Sequence, residues 1–169
     1  MITIDQIKQF CGSIDTKRHN IHLPWSREEY SYATNGHVII RIPRHPEINE
    51  NPDAPDAAKL FSNTLPPGEY IDIPQLPEPI LSNCSVCRGT GRIAGEPNWI
   101  ECKECDNGKI AELQKITIQG VIFEVIFNVE YLRKISKLPN AKIAVVNNTE
   151  KPSWFKFDDG DGLIMPMRF

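Results

Sequence analysis

Apolar and polar residues follow two different periods along this chain, and each change of period marks an element. Near the start, Ile4, Ile7, Phe10 and Cys11 fall on one helical face, and Thr3 with Gln6 has the form of a capping box, which predicts a short helix through about Cys11, ended by Gly12. Cys11, placed on that apolar stripe, reads as a small buried hydrophobe rather than a nucleophile or ligand. After a charged link at Asp15-Thr16-Lys17-Arg18 the period falls to two, predicting strands over 20–23 and 30–33. Asn35-Gly36 then supplies the two positive-φ residues of a tight hairpin, whose return strand runs over 37–42. From Pro43 to Pro79 the pattern dissolves into a proline-rich stretch that carries only a brief helix at 57–61 and a strand at 70–73. Alternation resumes at 115–118, turns at Gln119-Gly120 and returns over 121–127. Asn128 is a good N-cap for a helix over 129–138 that presents Val129, Leu132, Ile135 and Leu138 on one side and Glu130, Arg133, Lys134 and Lys137 on the other. Strands follow over 141–146, 153–157 and 163–167, the last two joined by an acidic run, Asp158 to Gly162, that lacks the spacing and distal glutamate of a calcium loop and reads as a hairpin turn.

The order is therefore helix and three strands, an irregular middle, then strands, a helix and three strands. The fold class is α+β, and the two ends look like versions of one unit. With 169 residues the chain is long enough for one compact domain plus a small insert. A net charge of −3 gives no global attraction to nucleic acid or membrane, so any DNA contact has to come from a local patch. No apolar run approaches the roughly 20 residues that cross a bilayer, and Met1-Ile2-Thr3-Ile4-Asp5 lacks the basic region and long apolar run of a secretory signal, so the expected location is the cytoplasm.

Four of the five cysteines stand in two C-x-x-C knuckles, Cys84 with Cys87 and Cys102 with Cys105. Four thiolates at this separation can converge on one centre and suit a structural zinc ion, tetrahedral and closed. Gly89, Gly91 and Gly108 follow the knuckles where the backbone turns tightly. Paired disulfides, a redox centre and an iron–sulfur cluster are the competing chemistries; the first requires an oxidising compartment, and the second does not ordinarily come as two glycine-flanked knuckles. The first knuckle, Cys84-Ser85-Val86-Cys87-Arg88-Gly89-Thr90-Gly91, resembles the C-x-x-C-x-G-x-G repeat of DnaJ-type zinc fingers; the second departs from it at Asn107. Within this stretch Arg88, Arg92, Lys103 and Lys109 are balanced by Glu96, Glu101, Glu104 and Asp106, so the module is no phosphate magnet. A rigid platform for stability or partner contact is the expectation.

Three further motifs, in order, are similar to those of the bacterial DNA sliding clamp, the β subunit of the replicative polymerase. Ala33-Thr34-Asn35-Gly36-His37 is similar to that family's Ala-Thr-Asp-Gly-His, Phe127-Asn128-Val129-Glu130-Tyr131-Leu132 to its Phe-Asn-x-x-Tyr-Leu, and the closing Met165-Pro166-Met167-Arg168-Phe169 to its Met-Pro-Met-Arg-Leu. The resemblance covers about 1–43 and 113–169, which would form a clamp-like domain of two half-repeats, with 44–81 as an irregular connection and 82–110 as the zinc-binding insert. It implies that helix cations meet the phosphates of double-stranded DNA without reading sequence, for which Lys8, Arg133, Lys134 and Lys137 are the matching positions. It also implies a hydrophobic cleft for short linear motifs of DNA polymerase and other replication proteins, at Thr34, Gly36, His37, Asn128, Tyr131, Met165, Pro166, Met167 and Arg168. Because the two walls of that cleft come from adjacent domains in the family, a complete cleft is expected to need head-to-tail association with a second copy or with a larger clamp.

Two functions follow from the resemblance: a DNA-encircling processivity factor assembled as a homo-oligomer of single domains, or a clamp-mimicking or clamp-binding regulator of replication that does not encircle DNA. An enzyme is not expected, since the four histidines show no spacing to a nucleophile and a four-thiolate site leaves zinc no open position.

Overall fold

The computed structural model describes residues 2–13, 21–64, 67–95, 99–102, 104–119, 124–146, 148 and 150–167. Their elements run α1 (Ile4–Lys8), β1 (Trp25–Arg27), β2 (Tyr30–Thr34), β3 (Val38–Pro43), α2 (Ala57–Asn63), β4 (Ile71–Asp72), β5 (Leu81–Asn83), β6 (Arg92–Ala94), β7 (Trp99–Glu101), β8 (Lys109–Ala111), β9 (Lys115–Gln119), β10 (Glu124–Asn128), α3 (Val129–Ser136), β11 (Lys142–Ala144), β12 (Ser153–Phe157) and β13 (Gly160–Ile164). The chain is mixed helix and strand, and it divides into two compact units, residues 1–76 with 115–169 and residues 77–114. Residues 44–76, which read as an irregular connection, belong to the first unit, and 77–81 to the second.

In the first unit, each end of the chain supplies a short helix followed by three strands. α1 leads into β1, β2 and β3, and α3 into β11, β12 and β13. The two meanders join through their last strands, giving one seven-stranded sheet in the order β1-β2-β3-β13-β12-β11-β4. The join is antiparallel, with Val38 opposite Ile164 and Arg41 opposite Asp161. There Arg41 makes a two-pronged bond to the Asp161 carboxylate at 2.8 and 2.6 Å, and its guanidinium lies over the rings of Tyr30 and Phe61.

Both faces of the sheet are covered, which is why β3 opens on three consecutive buried apolar residues, Val38, Ile39 and Ile40. Val38, Ile40 and Ile42 face Ile7 of α1 and Phe10 just after it, Leu132 and Ile135 from α3, and Val125 and Phe127 from the β9–β10 pair. Ile39, Tyr32, Trp154 and Leu163 face the other way, toward Ala54 and the Ala57 and Phe61 side chains of α2. The helix starts follow local rules. The Thr3–Gln6 capping box forms as expected, and the Asn128 side chain accepts the Glu130 amide at 2.8 Å.

Several boundaries differ from the sequence reading. α1 stops at Lys8, not Cys11, and α3 at Ser136, although Leu138 is buried just beyond it. Residues 21–23 form no strand, Asn20 lies outside the described residues, and the strand stands later, at β1. The Ile21 carbonyl accepts the Gly12 amide and so anchors at a single point, not along a ladder. In the β2–β3 hairpin Asn35 does not take positive φ: Gly36 alone does, as the first of two central residues, while the Asn35 side chain accepts the amides of His37 and Val38. Gln119 is a strand residue paired with Glu124, and the remainder of the expected turn, Gly120, lies outside the described residues with 121–123. The expected strand at 141–146 shrinks to β11. β13 begins at Gly160 and ends at Ile164, so the acidic hairpin turn is confined to Asp158 and Asp159. Gly160 and Gly162 stand opposite Phe157 and Phe155, whose rings lie where a Cβ would go, and this cross-strand packing outweighs the turn-like composition of the segment.

The join yields a test. Asp161→Ala strands a largely buried guanidinium and is expected to lower the unfolding free energy by about 2–3 kcal/mol, measured by urea denaturation.

Candidate functional site

The second unit is two small antiparallel ribbons, β5 with β8 and β6 with β7, and each knuckle spans from one ribbon to the other. The Cys84 amide donates to the Gly108 carbonyl and the Cys102 amide to the Gly91 carbonyl, both at 2.8 Å, so each knuckle is fastened to the end of its counterpart. Arg88 and Gly89 in the first, and Asn107 and Gly108 in the second, take left-handed φ in succession. Asn107 stands two places after Cys105, as Gly89 does after Cys87, and takes left-handed φ itself, which explains how the second knuckle dispenses with a glycine at that place. Gly108 has no such latitude, because a Cβ there would collide with the Gly89 carbonyl.

This scaffold brings the four sulfurs of Cys84, Cys87, Cys102 and Cys105 within 4.8 Å of one another. The sulfurs of Cys84 and Cys102 are 3.9 Å apart and those of Cys87 and Cys105 3.6 Å. A tetrahedral ion with metal–sulfur bonds near 2.3 Å sets its sulfurs about 3.8 Å apart, so the set is of the size for one such ion and compatible with zinc. Cys84, Cys87 and Cys102 are buried and Cys105 partly so. Burial resists charge on Cys87, but the Gly91 amide, the Cys105 thiol and the Gly89 amide outweigh it and draw that thiol down to about 6. Burial and the neighbouring Cys87 and Cys102 push Cys105 up to about 12. Cys87 is thus readily held as a thiolate, whereas a thiolate at Cys105 calls for a cation to offset it.

In the first unit the three separated motifs meet at one end of the sheet. The Met165 amide donates to the His37 carbonyl at 2.8 Å, and the Met167 amide to the Ile126 carbonyl at 2.8 Å, so the C-terminal segment is stitched to both the β2–β3 turn and β10. Thr34, Gly36, His37 and Met165 line a small hollow of about 40 Å³, closed by Leu60, Pro152 and Leu163. On its other side the His37 ring stacks on Tyr131 at 5.7 Å, and the Tyr131 hydroxyl reaches the Asn35 side chain. This meeting occurs within a single chain. Asn128 is occupied as the α3 cap, Pro166 is buried, and neither they nor Met167 line the hollow; Arg168 lies outside the described residues. Sequence reasoning missed Val38, Ile39, Leu60, Pro152 and Leu163 among the lining residues; no local pattern marks Leu60 and Pro152, which arrive from segments distant in sequence.

Of the candidate DNA-contacting cations, Lys8 and Lys137 are exposed, and Arg133 and Lys134 are partly buried. Lys8 sits 4.0 Å from Asp5, Arg133 is bonded to Glu130 at 3.3 Å, and the Lys134 ammonium donates to the Gln9 carbonyl at 2.9 Å, where burial lowers its pKa. Lys137 is exposed at the end of α3. No helix among the described residues is long and apolar enough to cross a membrane. Compared with known protein families, curated proteins and solved structures, the chain matches none.

Titration with Co²⁺ as a spectroscopic probe is expected to give one equivalent bound, with thiolate charge-transfer absorption that fades as acid protonates the sulfurs. Gly108→Ala should weaken this binding at least tenfold, as loss of a ligand-orienting contact does. Asn107→Gly, at a φ of 48° that glycine adopts freely, should leave it nearly unchanged.

Proposed function

We propose that this chain is a sliding-clamp-like accessory protein of DNA replication that docks short linear motifs of replication proteins on a single domain, stabilised by a structural zinc ion in its second unit. The observation that carries the reading is the meeting of Thr34, Gly36, His37, Tyr131 and Met165, drawn from three motifs that resemble those of the clamp family, at one end of one sheet. A second line of support is the pair of helix-plus-three-strand halves, the organisation that the same resemblance implies. Methionine and stacked aromatic rings make an adaptable apolar surface, suited to a peptide that orders on binding. Four thiolates leave no open coordination position, so the metal acts by holding the knuckles together.

Such a domain acts as a regulator that competes with a resident clamp for partners. The alternative, copies closing a ring around double-stranded DNA, draws less support, because Arg133 and Lys134 are partly buried and bonded within the chain.

The test is fluorescence polarisation with labelled linear-motif peptides from replicative polymerases. The unmodified chain should bind, His37→Ala should weaken binding about tenfold or more, Tyr131→Ala should weaken it as much with a lowered melting temperature because that ring packs on the core, and Lys134→Glu should leave binding unchanged. No binding, or binding indifferent to His37, would contradict the proposal.

A further inference from the structure

The β6–β7 ribbon has two unlike faces. Side chains alternate along each strand, and the register sets Arg92 opposite Glu101, Ile93 opposite Ile100 and Ala94 opposite Trp99. Ile93 turns inward and packs on the cysteine cluster. Arg92, Ala94, Trp99 and Glu101 therefore share the outer face. Trp99 is 68% exposed there, more than any other large hydrophobic side chain among the described residues, while Trp25 and Trp154 are buried. The residue across the ribbon from it is an alanine, too small to cover an indole.

Thr90, Gly91, Arg92, Trp99, Glu101 and Asn107 line a hollow of about 480 Å³ beside this face, a size at which small ligands are held. Two of its polar side chains are already used. The Thr90 hydroxyl lies 2.7 Å from the Cys87 carbonyl and accepts the Arg92 amide at 3.3 Å, and the Asn107 side chain donates to the Asp106 carboxylate at 3.0 Å. Among the described residues, neither the Arg92 guanidinium nor the Glu101 carboxylate makes a hydrogen bond or an ion pair. What remains for a ligand is an indole face, a fork of donors and a paired acceptor, side by side. Guanine matches all three. Its N7 and O6 accept from a guanidinium, its N1–H and N2–H donate to a carboxylate, and these two pairs adjoin along one rim of the ring as Arg92 and Glu101 adjoin across the ribbon. Adenine has a donor in place of O6 and an acceptor at N1, so it meets both groups with the wrong polarity. A pyrimidine offers the carboxylate one donor nitrogen instead of two, and less ring to stack.

We infer that the outer face of the β6–β7 ribbon is a binding site for an unpaired guanine base, stacked on Trp99, with Arg92 at its N7 and O6 and Glu101 at its N1 and N2. A base within a duplex has both ring faces covered and its N1 and N2 paired, so the ligand is a single strand or a free guanine nucleotide. The charges of the cysteine-bearing stretch balance, and recognition therefore runs through the base with little help from phosphate. This inference concerns the second unit alone and does not depend on the peptide-docking reading.

Isothermal titration calorimetry on the full chain tests the site, with guanosine monophosphate and with short DNA and RNA single strands that carry isolated guanines among thymines or uracils. Guanine strands should bind about tenfold or more tighter than their adenine counterparts. Binding of the strands alone identifies the ligand as nucleic acid, and equal binding of the monophosphate identifies it as a nucleotide. Trp99→Ala should weaken binding about tenfold, with the Co²⁺ spectrum of the knuckles unchanged. Inosine, which lacks the N2 amino group, should bind more weakly than guanine to the unmodified chain and as well as guanine to Glu101→Gln. Absence of binding would overturn the proposal, as would equal affinity for guanine and adenine or guanine binding indifferent to Trp99. Affinity that falls steeply with salt for every sequence alike would show phosphate contact only and would also refute the site. If Trp99→Ala loses its Co²⁺ spectrum, the adenine and inosine comparisons on the unmodified chain decide.

Discussion

The antiparallel pairing of β3 with β13 is the contact from which the rest of the first unit follows. Neither half of the chain has a core of its own: α1 or α3 with three short strands can cover one side of a meander at most. Joined through Val38–Ile164 and Arg41–Asp161, the halves form a sheet wide enough to hold apolar layers on both faces. The same join carries the chain's end past the β2–β3 turn, so that Met165 lies against His37. The proposed docking surface is thus a consequence of how the halves are joined, and its motif residues meet without a second copy.

The second unit is organised by a different force. Its exposed Trp99, Ile100 and Leu81 show that it lacks an apolar core of ordinary kind, and its interior is the four sulfurs with Ile93 and Ile110 beside them. With so little apolar interior, an ion bound by the four cysteines would supply most of the folding free energy of such a unit. The cross-fastening of Cys84 to Gly108 and Cys102 to Gly91 sets the knuckles at the required separation.

What could be read from the sequence was what depends on neighbours in sequence. The capping box at Thr3 and Gln6, the Asn128 cap, the Gly36 hairpin and the cysteine knuckles all follow from residues a few places apart. β1 went unread because Trp25-Ser26-Arg27 has no apolar alternation; Ser26 is buried because the distant Ser31 hydroxyl and Ile48 carbonyl satisfy it. Gly160 and Gly162 read as turn because nothing local announces the Phe157 and Phe155 rings across from them. The proline-rich stretch read as slack for the same reason, since its contacts with β1, Trp154 and β11 are all long-range. The motif residues of the docking surface were legible, while their meeting in one chain was not, because it depends on β13.

The central claim is that one chain carries a complete docking surface, and native mass spectrometry of the chain with a linear-motif peptide tests it most directly. The account predicts a complex of one peptide on one 19.2 kDa chain. Peptide found only on dimers or larger assemblies, with the monomer bare, would contradict it.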